Sequence, residues 1–319
     1  MGFRTKLRAY SIASKEYLLS FKRDTVKYFM SKIPESYKLK SYQRHYAEPD
    51  SRRLMESFFS GGDLPLFDTV HIESITMCNS TCSFCAAAVQ YKFRKPSEVM
   101  PDEMVEKILN DLSALNYGGR ITLYCNNEPL LEKRQEKFLR MARARCPNAQ
   151  LEMKTNGKLL TVERLKALFD AGLEICNIND YRPDRHLSKK VMKFIEDYDG
   201  EFTLKGREIN IYLRKEKEVL LNRAGTNPTG RKLPGAYPIP CFRPFTMMTI
   251  NYEGKVAACS NDLFFSHVLG NVRDQSIKQI WEGPAFQKMR ESMMKGDRTP
   301  FSTCAQCDFA GYSSELNIY

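Results

Sequence analysis

The stretch Cys78-Asn79-Ser80-Thr81-Cys82-Ser83-Phe84-Cys85 follows an apolar run, Thr69–Met77, that reads as a β-strand. Three thiols within eight residues, on a loop leaving a strand, can wrap one metal centre. Three is the informative count. Structural zinc takes four closed ligands, whereas three cysteines leave one iron of a cubane cluster without a protein ligand. A zinc site here would need a fourth ligand, and the nearest candidate is His71, on the strand itself.

Downstream of that loop the chain alternates short apolar runs with amphipathic segments. Strands are expected at Arg120–Tyr124, Gln150–Lys154, Glu174–Asn179 and Glu208–Leu213. Helices are expected at Pro101–Leu115, Glu132–Arg145, Thr161–Ala171 and Leu187–Tyr198. Met104, Ile108 and Leu112 share one helical face, as do Leu165, Leu168 and Phe169. Strand alternating with helix predicts a parallel α/β architecture with its functional groups at the carboxyl ends of the strands. The polar motifs fall at those ends: Asn126-Asn127-Glu128-Pro129, Thr155-Asn156-Gly157, and Asn177 to Tyr181. Gly157 suits a tight turn and Thr161 a helix N-cap. Period-two alternation puts Asn177 and Asn179 on one face and Cys176 on the other.

The chain has ten cysteines. Cys125, Cys146 and Cys176 read as buried structural thiols, the usual state of free cysteine, with a hydrogen-atom-donating role as the alternative. The remaining four form a second group. Cys241 precedes a β-rich run, Thr246–Asn251, a turn at Gly254, and Cys259; Cys304 and Cys307 follow near the end. A hairpin and a tail loop would bring together four thiolates, which from spacing alone could hold zinc or an iron–sulfur cluster.

Cys-x3-Cys-x2-Cys with Phe84 before the last cysteine resembles the signature of the radical S-adenosylmethionine (radical SAM) enzymes. The second group, with Leu269-Gly270-Asn271-Val272 and Ile280-Trp281 between its halves, resembles their C-terminal auxiliary-cluster region. The shorter, single-cluster form called twitch fits better than the full SPASM form, since no cysteine follows Cys307. Together the resemblances cover about residues 69 to 312. They imply a partial (β/α)6 TIM-like barrel with a small C-terminal β-hairpin plus helix auxiliary-cluster domain and a helical N-terminal extension. The implied division is 1–66 extension, 67–235 radical SAM core and 236–319 auxiliary-cluster domain. The implied cofactors are two [4Fe–4S] clusters and S-adenosylmethionine. Cys78, Cys82 and Cys85 would hold the first cluster, and Cys241, Cys259, Cys304 and Cys307 the second. Phe84, Asn126, Asn127, Glu128, Thr155, Asn156 and Asn179 would bind the cofactor, Glu128 facing its ammonium. The family usually has Gly-Gly-Glu-Pro where this chain has Asn126-Asn127-Glu128-Pro129. Asn tolerates unusual backbone angles better than most residues, so the turn is expected to survive.

The 319 residues carry a formal charge of +11 with 42% hydrophobic content, enough for a core. The first fifty hold eleven Lys or Arg against five Asp or Glu, so more than half of the excess lies outside the motif regions. That segment reads as a basic, partly amphipathic helix. It lacks the compact apolar run of a secretory signal, and Lys6 breaks the myristoylation pattern. It is expected to pack on the main domain with its charges in water, or to offer a docking face to an anionic membrane surface or a protein. No specific nucleic-acid binding is expected, since no recognition motif accompanies the charge. No apolar stretch is long enough to span a bilayer, and unpaired cysteines point to a reducing, cytoplasmic compartment.

By the resemblance, the chain reductively cleaves S-adenosylmethionine to a 5′-deoxyadenosyl radical that abstracts a substrate hydrogen. An auxiliary cluster that can accept an electron favours oxidation of a small polar or carbohydrate-like substrate, with a flavodoxin- or ferredoxin-type electron donor. Modification of a ribosomally made peptide by crosslinking, epimerisation or oxidation is the second reading; a zinc-binding interaction protein is the reading from a different class. Tyr181, Arg214 and Arg243 are the candidate substrate groups, Arg because it suits anionic and polyhydroxyl partners.

Overall fold

The computed structural model describes residues 55–85, 98–181, 186–198, 207–213, 221–230 and 232–309. Most of the basic extension, and Arg214, lie outside the described residues.

Five parallel strands form in chain order: β1 (Thr69–Ile72), β2 (Arg120–Thr122), β3 (Gln150–Thr155), β4 (Ile175–Asp180) and β5 (Glu208–Leu213). Between them run α1 (Asp102–Ala114), α2 (Gln135–Arg145), α3 (Val162–Asp170) and α4 (Lys189–Tyr198). The hydrophobic period predicts these helices because each presents one apolar stripe. Met104, Val105, Ile108, Leu109 and Leu112 are the buried stripe of α1, and Val162, Leu165, Leu168 and Phe169 that of α3. Thr161 caps α3 as its sequence position suggests, its hydroxyl accepting the Arg164 N–H at 3.1 Å.

The C-terminal residues extend the same sheet. After the short α5 (Arg243–Thr246), β6 (Met247–Ile250) pairs in parallel with β1; β7 (Lys255–Ala257) and β8 (Gly270–Asn271) continue antiparallel. The order is β5-β4-β3-β2-β1-β6-β7-β8. Six strands are therefore parallel, but the sixth closes the β1 edge rather than following β5, and the expected hairpin is part of the barrel sheet. Gly254 makes its turn with φ +82°; a Cβ there would lie 2.7 Å from Asn271 Oδ1.

Helices α6 (Ile277–Trp281), α7 (Pro284–Met294) and α8 (Ser302–Ala305) complete the described chain. Trp281 anchors α6 to the barrel. It is fully buried, donates its indole N–H to the Pro65 carbonyl at 2.9 Å, and packs edge-on against Phe58 and Phe67. The buried Arg290 guanidinium lies 4.0 Å over the Trp281 ring and donates to the Pro244 and Trp281 carbonyls.

The two sheet faces differ in chemistry. Val70–Ile121–Leu151, Met153–Cys176 and Ile72–Ile250 are apolar cross-strand rows, and all of these residues are buried in the core. On the other face, His71–Thr122–Glu152 and Lys154–Asn177–Asn210 stand in register. That polar face is the barrel interior, and it positions the site.

Candidate active site

The cysteine loop leaves β1 and is tied down by the loops beyond β2 and β3. Cys78, Cys82 and Cys85 are half-buried, and the Cys85 N–H closes a turn on the Cys82 carbonyl at 3.0 Å. The Glu128 N–H donates to Met77 O at 2.8 Å, just before Cys78. From the β3 side, Asn156 Nδ2 donates to Asn79 Oδ1 at 2.8 Å and Lys158 Nζ to Asn79 O at 3.4 Å. Three strand ends thus converge on one loop.

Glu128 is the node of this arrangement. It is 2% exposed. Oε1 accepts the Thr155 hydroxyl at 2.5 Å and the Leu130 N–H at 3.1 Å; Oε2 accepts the Asn156 N–H at 2.8 Å. Burial pushes its carboxyl up, and the three donors pull it back down. A carboxylate offers about four acceptor positions, so the three donors leave one, on Oε2.

The Asn-Asn turn holds by a different device from the one its sequence suggested. Neither Asn126 nor Asn127 has a positive φ, so backbone tolerance is not what the turn uses. Instead Asn127 Oδ1 accepts the Cys125 N–H at 3.0 Å. The Asn126 N–H donates to Glu73 Oε1 at 3.1 Å, and its Oδ1 accepts Arg223 Nη2 at 2.6 Å. Asn127 Nδ2 is buried without a hydrogen-bond partner, a donor available to a ligand at the loop.

Phe84, from the cysteine loop, meets Tyr181 edge-on at 5.0 Å, and Tyr181 meets Tyr212 of β5 at 6.0 Å. This aromatic wall joins two residues that the sequence placed separately. Asn179 is buried beside it, opposite Tyr212.

Sequence reasoning missed the barrel floor. Arg120 pairs with Glu152 at 2.9 Å, Lys154 with Glu152 at 3.5 Å, and Asn177 Nδ2 donates to Glu152 Oε1 at 2.9 Å. Burial lowers the Lys154 pKa; Glu152 pulls it back up, and Arg120 and Arg243 push it down. His71 is on this floor, hydrogen-bonded to the Thr122 hydroxyl at 2.5 Å. Burial chiefly, then Lys154 and Arg243, lower its pKa to about 3. Period-two polarity on β3 and β4 was the signal that could have found this face.

The second cysteine group does converge. Cys241, Cys259, Cys304 and Cys307 line one cavity together with Arg243 and Arg298. Three N–H groups already point at sulfur: Asn261 N to Cys259 Sγ at 3.3 Å, Asn261 Nδ2 to Cys307 Sγ at 3.6 Å, and Phe309 N to Cys307 Sγ at 3.4 Å. Burial pushes the Cys307 thiol up to about 12. Buried thiols with sulfur-directed donors fit a metal centre, because a bound metal deprotonates them and the donors then stabilise the thiolates. Cys78, pushed up by burial to about 11, fits the same logic.

Arg223 ties the loop that carries Asn126 and Glu128 to the loop that carries Cys259. Its Nη2 donates to Asn126 Oδ1 on one side and to Ser260 O, next to Cys259, at 3.3 Å on the other. Cys125 and Cys146 divide here. Cys146 and Cys176 are core thiols as expected. Cys125 is only half-buried, because β2 ends at Thr122 and leaves it in the loop, within electrostatic reach of Cys259.

The comparisons agree with this geometry. The family model of the Radical SAM superfamily matches residues 72–199, and that of SPASM, an iron–sulfur cluster-binding domain, matches residues 241–308. The chain belongs to the radical SAM superfamily and carries a C-terminal SPASM-type domain. It is 28% identical over 250 residues to the S-adenosyl-L-methionine-dependent 2-deoxy-scyllo-inosamine dehydrogenase of Niallia circulans, covering 78% of this chain and 96% of that protein. A crystal structure of BtrN in complex with AdoMet and 2-DOIA superposes with a TM-score of 0.65 at 27% identity, covering 77% of this chain and 95% of that one. GTP 3′,8-cyclase of Helicobacter pylori (strain ATCC 700392 / 26695) is 28% identical over 143 residues, 45% of this chain and 43% of the cyclase.

Proposed function

We propose that this protein is a radical SAM oxidoreductase that converts an alcohol carbon of a small polyhydroxylated substrate to a carbonyl. The observation that carries the reading is the Arg223 bridge. It ties the Asn126–Glu128 loop, which also bonds the segment before Cys78, to the loop of the four-cysteine cavity, and this supports two cofactor sites near one polar barrel interior. The dehydrogenase relative matched over nearly its whole length supports the substrate class.

Cys78, Cys82 and Cys85 would hold the cluster that binds S-adenosylmethionine, and the other four cysteines the auxiliary [4Fe–4S] cluster. When bound, these groups supply a 5′-deoxyadenosyl radical that takes a hydrogen atom and an acceptor for one electron. The chain does the rest. Glu128 and Asn127 receive the amino-acid end of S-adenosylmethionine, Thr155 and Asn156 fix Glu128, and Asn179 lies on the cofactor side of the barrel. Phe84 and Tyr181 wall the site against water. The hydroxyl proton leaves to a base on the polar barrel floor as the carbonyl forms. Arg243 and Arg214 are the arginines proposed to hold the substrate, Arg214 lying outside the described residues. A flavodoxin- or ferredoxin-type protein would deliver the first electron.

Anaerobic reconstitution tests this. Two cubane clusters give about seven to eight irons per chain. Replacing Cys78, Cys82 and Cys85 together by Ala should leave about half of the iron and abolish 5′-deoxyadenosine formation. Deuterium moving from a carbinol carbon of the substrate into 5′-deoxyadenosine would locate the abstraction. Cofactor cleavage that survives the triple replacement sinks the assignment.

A further inference from the structure

Arg298 is 1% exposed, and its hydrogen-bond partners among the described residues are all neutral carbonyls. Nε donates to Ile239 O at 3.1 Å, Nη1 to Cys307 O at 3.2 Å and Phe309 O at 2.9 Å, and Nη2 to Pro240 O at 3.2 Å. No carboxylate among the described residues pairs with it. A guanidinium buried without an anion is costly, which is why buried charges are nearly always paired. The anion that belongs here is visible in the lining of the neighbouring cavity. Arg298 lines that cavity with Cys241, Cys259, Cys304 and Cys307, and its Nη1 donates to the carbonyl of Cys307. Arg243 enters the same cavity from α5, 6% exposed and 4.4 Å over the Phe309 ring. The one carboxylate in the lining, Asp262, accepts from the N–H groups of Ser266 and His267 and from the Thr303 hydroxyl rather than from either arginine, so two cations face one anion there.

We propose that Arg298, assisted by Arg243, is the fixed counter-charge of the auxiliary cluster and raises its reduction potential so that it accepts the substrate's electron. The proposal rests on the function proposed above and deepens it. A cluster ligated by four thiolates is negative and becomes more so on reduction, so a fixed positive charge beside it favours the reduced state. Net charge, hydrogen bonds to sulfur and solvent exposure set such potentials. This site supplies two buried cations and three sulfur-directed N–H groups together. Arg298 is a tuning residue that acts through the cluster, not a group that touches the substrate.

The test uses full-length protein in which Cys78, Cys82 and Cys85 are all Ala, so that only the auxiliary cluster remains, with its potential measured by EPR-monitored titration. Arg298→Gln should lower the potential by at least a tenfold change in the electron-transfer equilibrium, about 59 mV for one electron. Arg298→Lys should stay much closer to the parent. A purely structural role would move Lys and Gln alike, or move stability and leave the potential in place. Arg243→Met, which keeps apolar contact with Phe309, should shift the potential in the same direction and decides the matter if Arg298→Gln fails to hold a cluster. Unchanged potentials in the variants that keep their cluster overturn the inference alone. An iron-free tail site in the parent would overturn the proposed function with it.

Discussion

His71 shows what a single buried residue contributes on the barrel floor. Its pKa, lowered to about 3, means that the folded protein keeps it neutral where the unfolded chain protonates it, below about 6.5. The unfolded state therefore binds more protons across that window, and stability falls as the pH falls. The loss is about 1.4 kcal/mol per pH unit, roughly 2 kcal/mol by pH 5. Lys154, Arg243 and Arg120 repel the imidazolium, and Glu152 on the same face is already engaged by Arg120. Urea unfolding of wild type and His71→Asn between pH 7 and pH 5 should show the difference between them shrinking with acid; a constant difference would contradict the burial argument. Glu128 works at the same scale. Glu128→Gln leaves one oxygen for three donors and turns an N–H toward another donor. Charge-assisted hydrogen bonds are worth about 1.5–3 kcal/mol, so S-adenosylmethionine should bind at least about tenfold more weakly by equilibrium dialysis, with iron content retained.

The Thr155-Asn156-Gly157 turn between β3 and α3 shows how one element carries both fold and site. Gly157 has φ +72°, and a Cβ there would lie 2.8 Å from Ile178 Cγ2 and 2.9 Å from Val191 Cγ2. Gly157→Ala should therefore cost about 1–3 kcal/mol from backbone strain alone, with steric overlap added, and should displace Asn156 from Glu128 and Asn79. Denaturant unfolding together with cofactor affinity checks this; loss of stability without loss of affinity would separate the turn from the site. This turn was legible because its chemistry is local: glycine at a left-handed position and a threonine cap are sequence-adjacent signals. The cysteine spacings were legible for the same reason. The Arg120–Glu152–Asn177 floor was not, because its partners come from three strands and only register brings them together. Cys125 misled in the opposite way: it reads as a strand-end core thiol, but β2 ends at Thr122 and the Asn127 side chain, not a neighbouring strand, accepts the Cys125 N–H. Arg298 carried no sequence signal, because its meaning lies in the carbonyls and thiols that surround it after folding.

At the scale of the molecule, the decisive fact is that the sheet does not stop where the sequence motifs divide. The proposed boundary between residues 235 and 236 falls between β5 and β6 in the chain, yet β6 hydrogen-bonds along the whole of β1, from Thr69↔Met247 to Ile72↔Ile250. Trp281 covers Phe58 and Phe67 on the barrel side, with Phe286 packed against it, and Asp111 of α1 accepts the Ile277 N–H of α6 at 3.0 Å. A chain ending before Cys241 would expose the β1 edge and the apolar surface beneath α6 and α7, and an unpaired edge strand beside exposed apolar surface promotes aggregation. The two motif regions should therefore unfold as one cooperative unit. Calorimetry or denaturant unfolding of the intact chain is expected to show a single transition at which tryptophan fluorescence, reporting Trp281 alone, coincides with the far-ultraviolet signal of the whole sheet. Two separated transitions would mean that the auxiliary region folds independently. Coincidence matters for the chemistry, because the Arg223 contacts to Asn126 and to Ser260, which tie the loop that carries Glu128 to the loop that carries Cys259, hold their spacing only if β1, β2 and β6 move as one sheet.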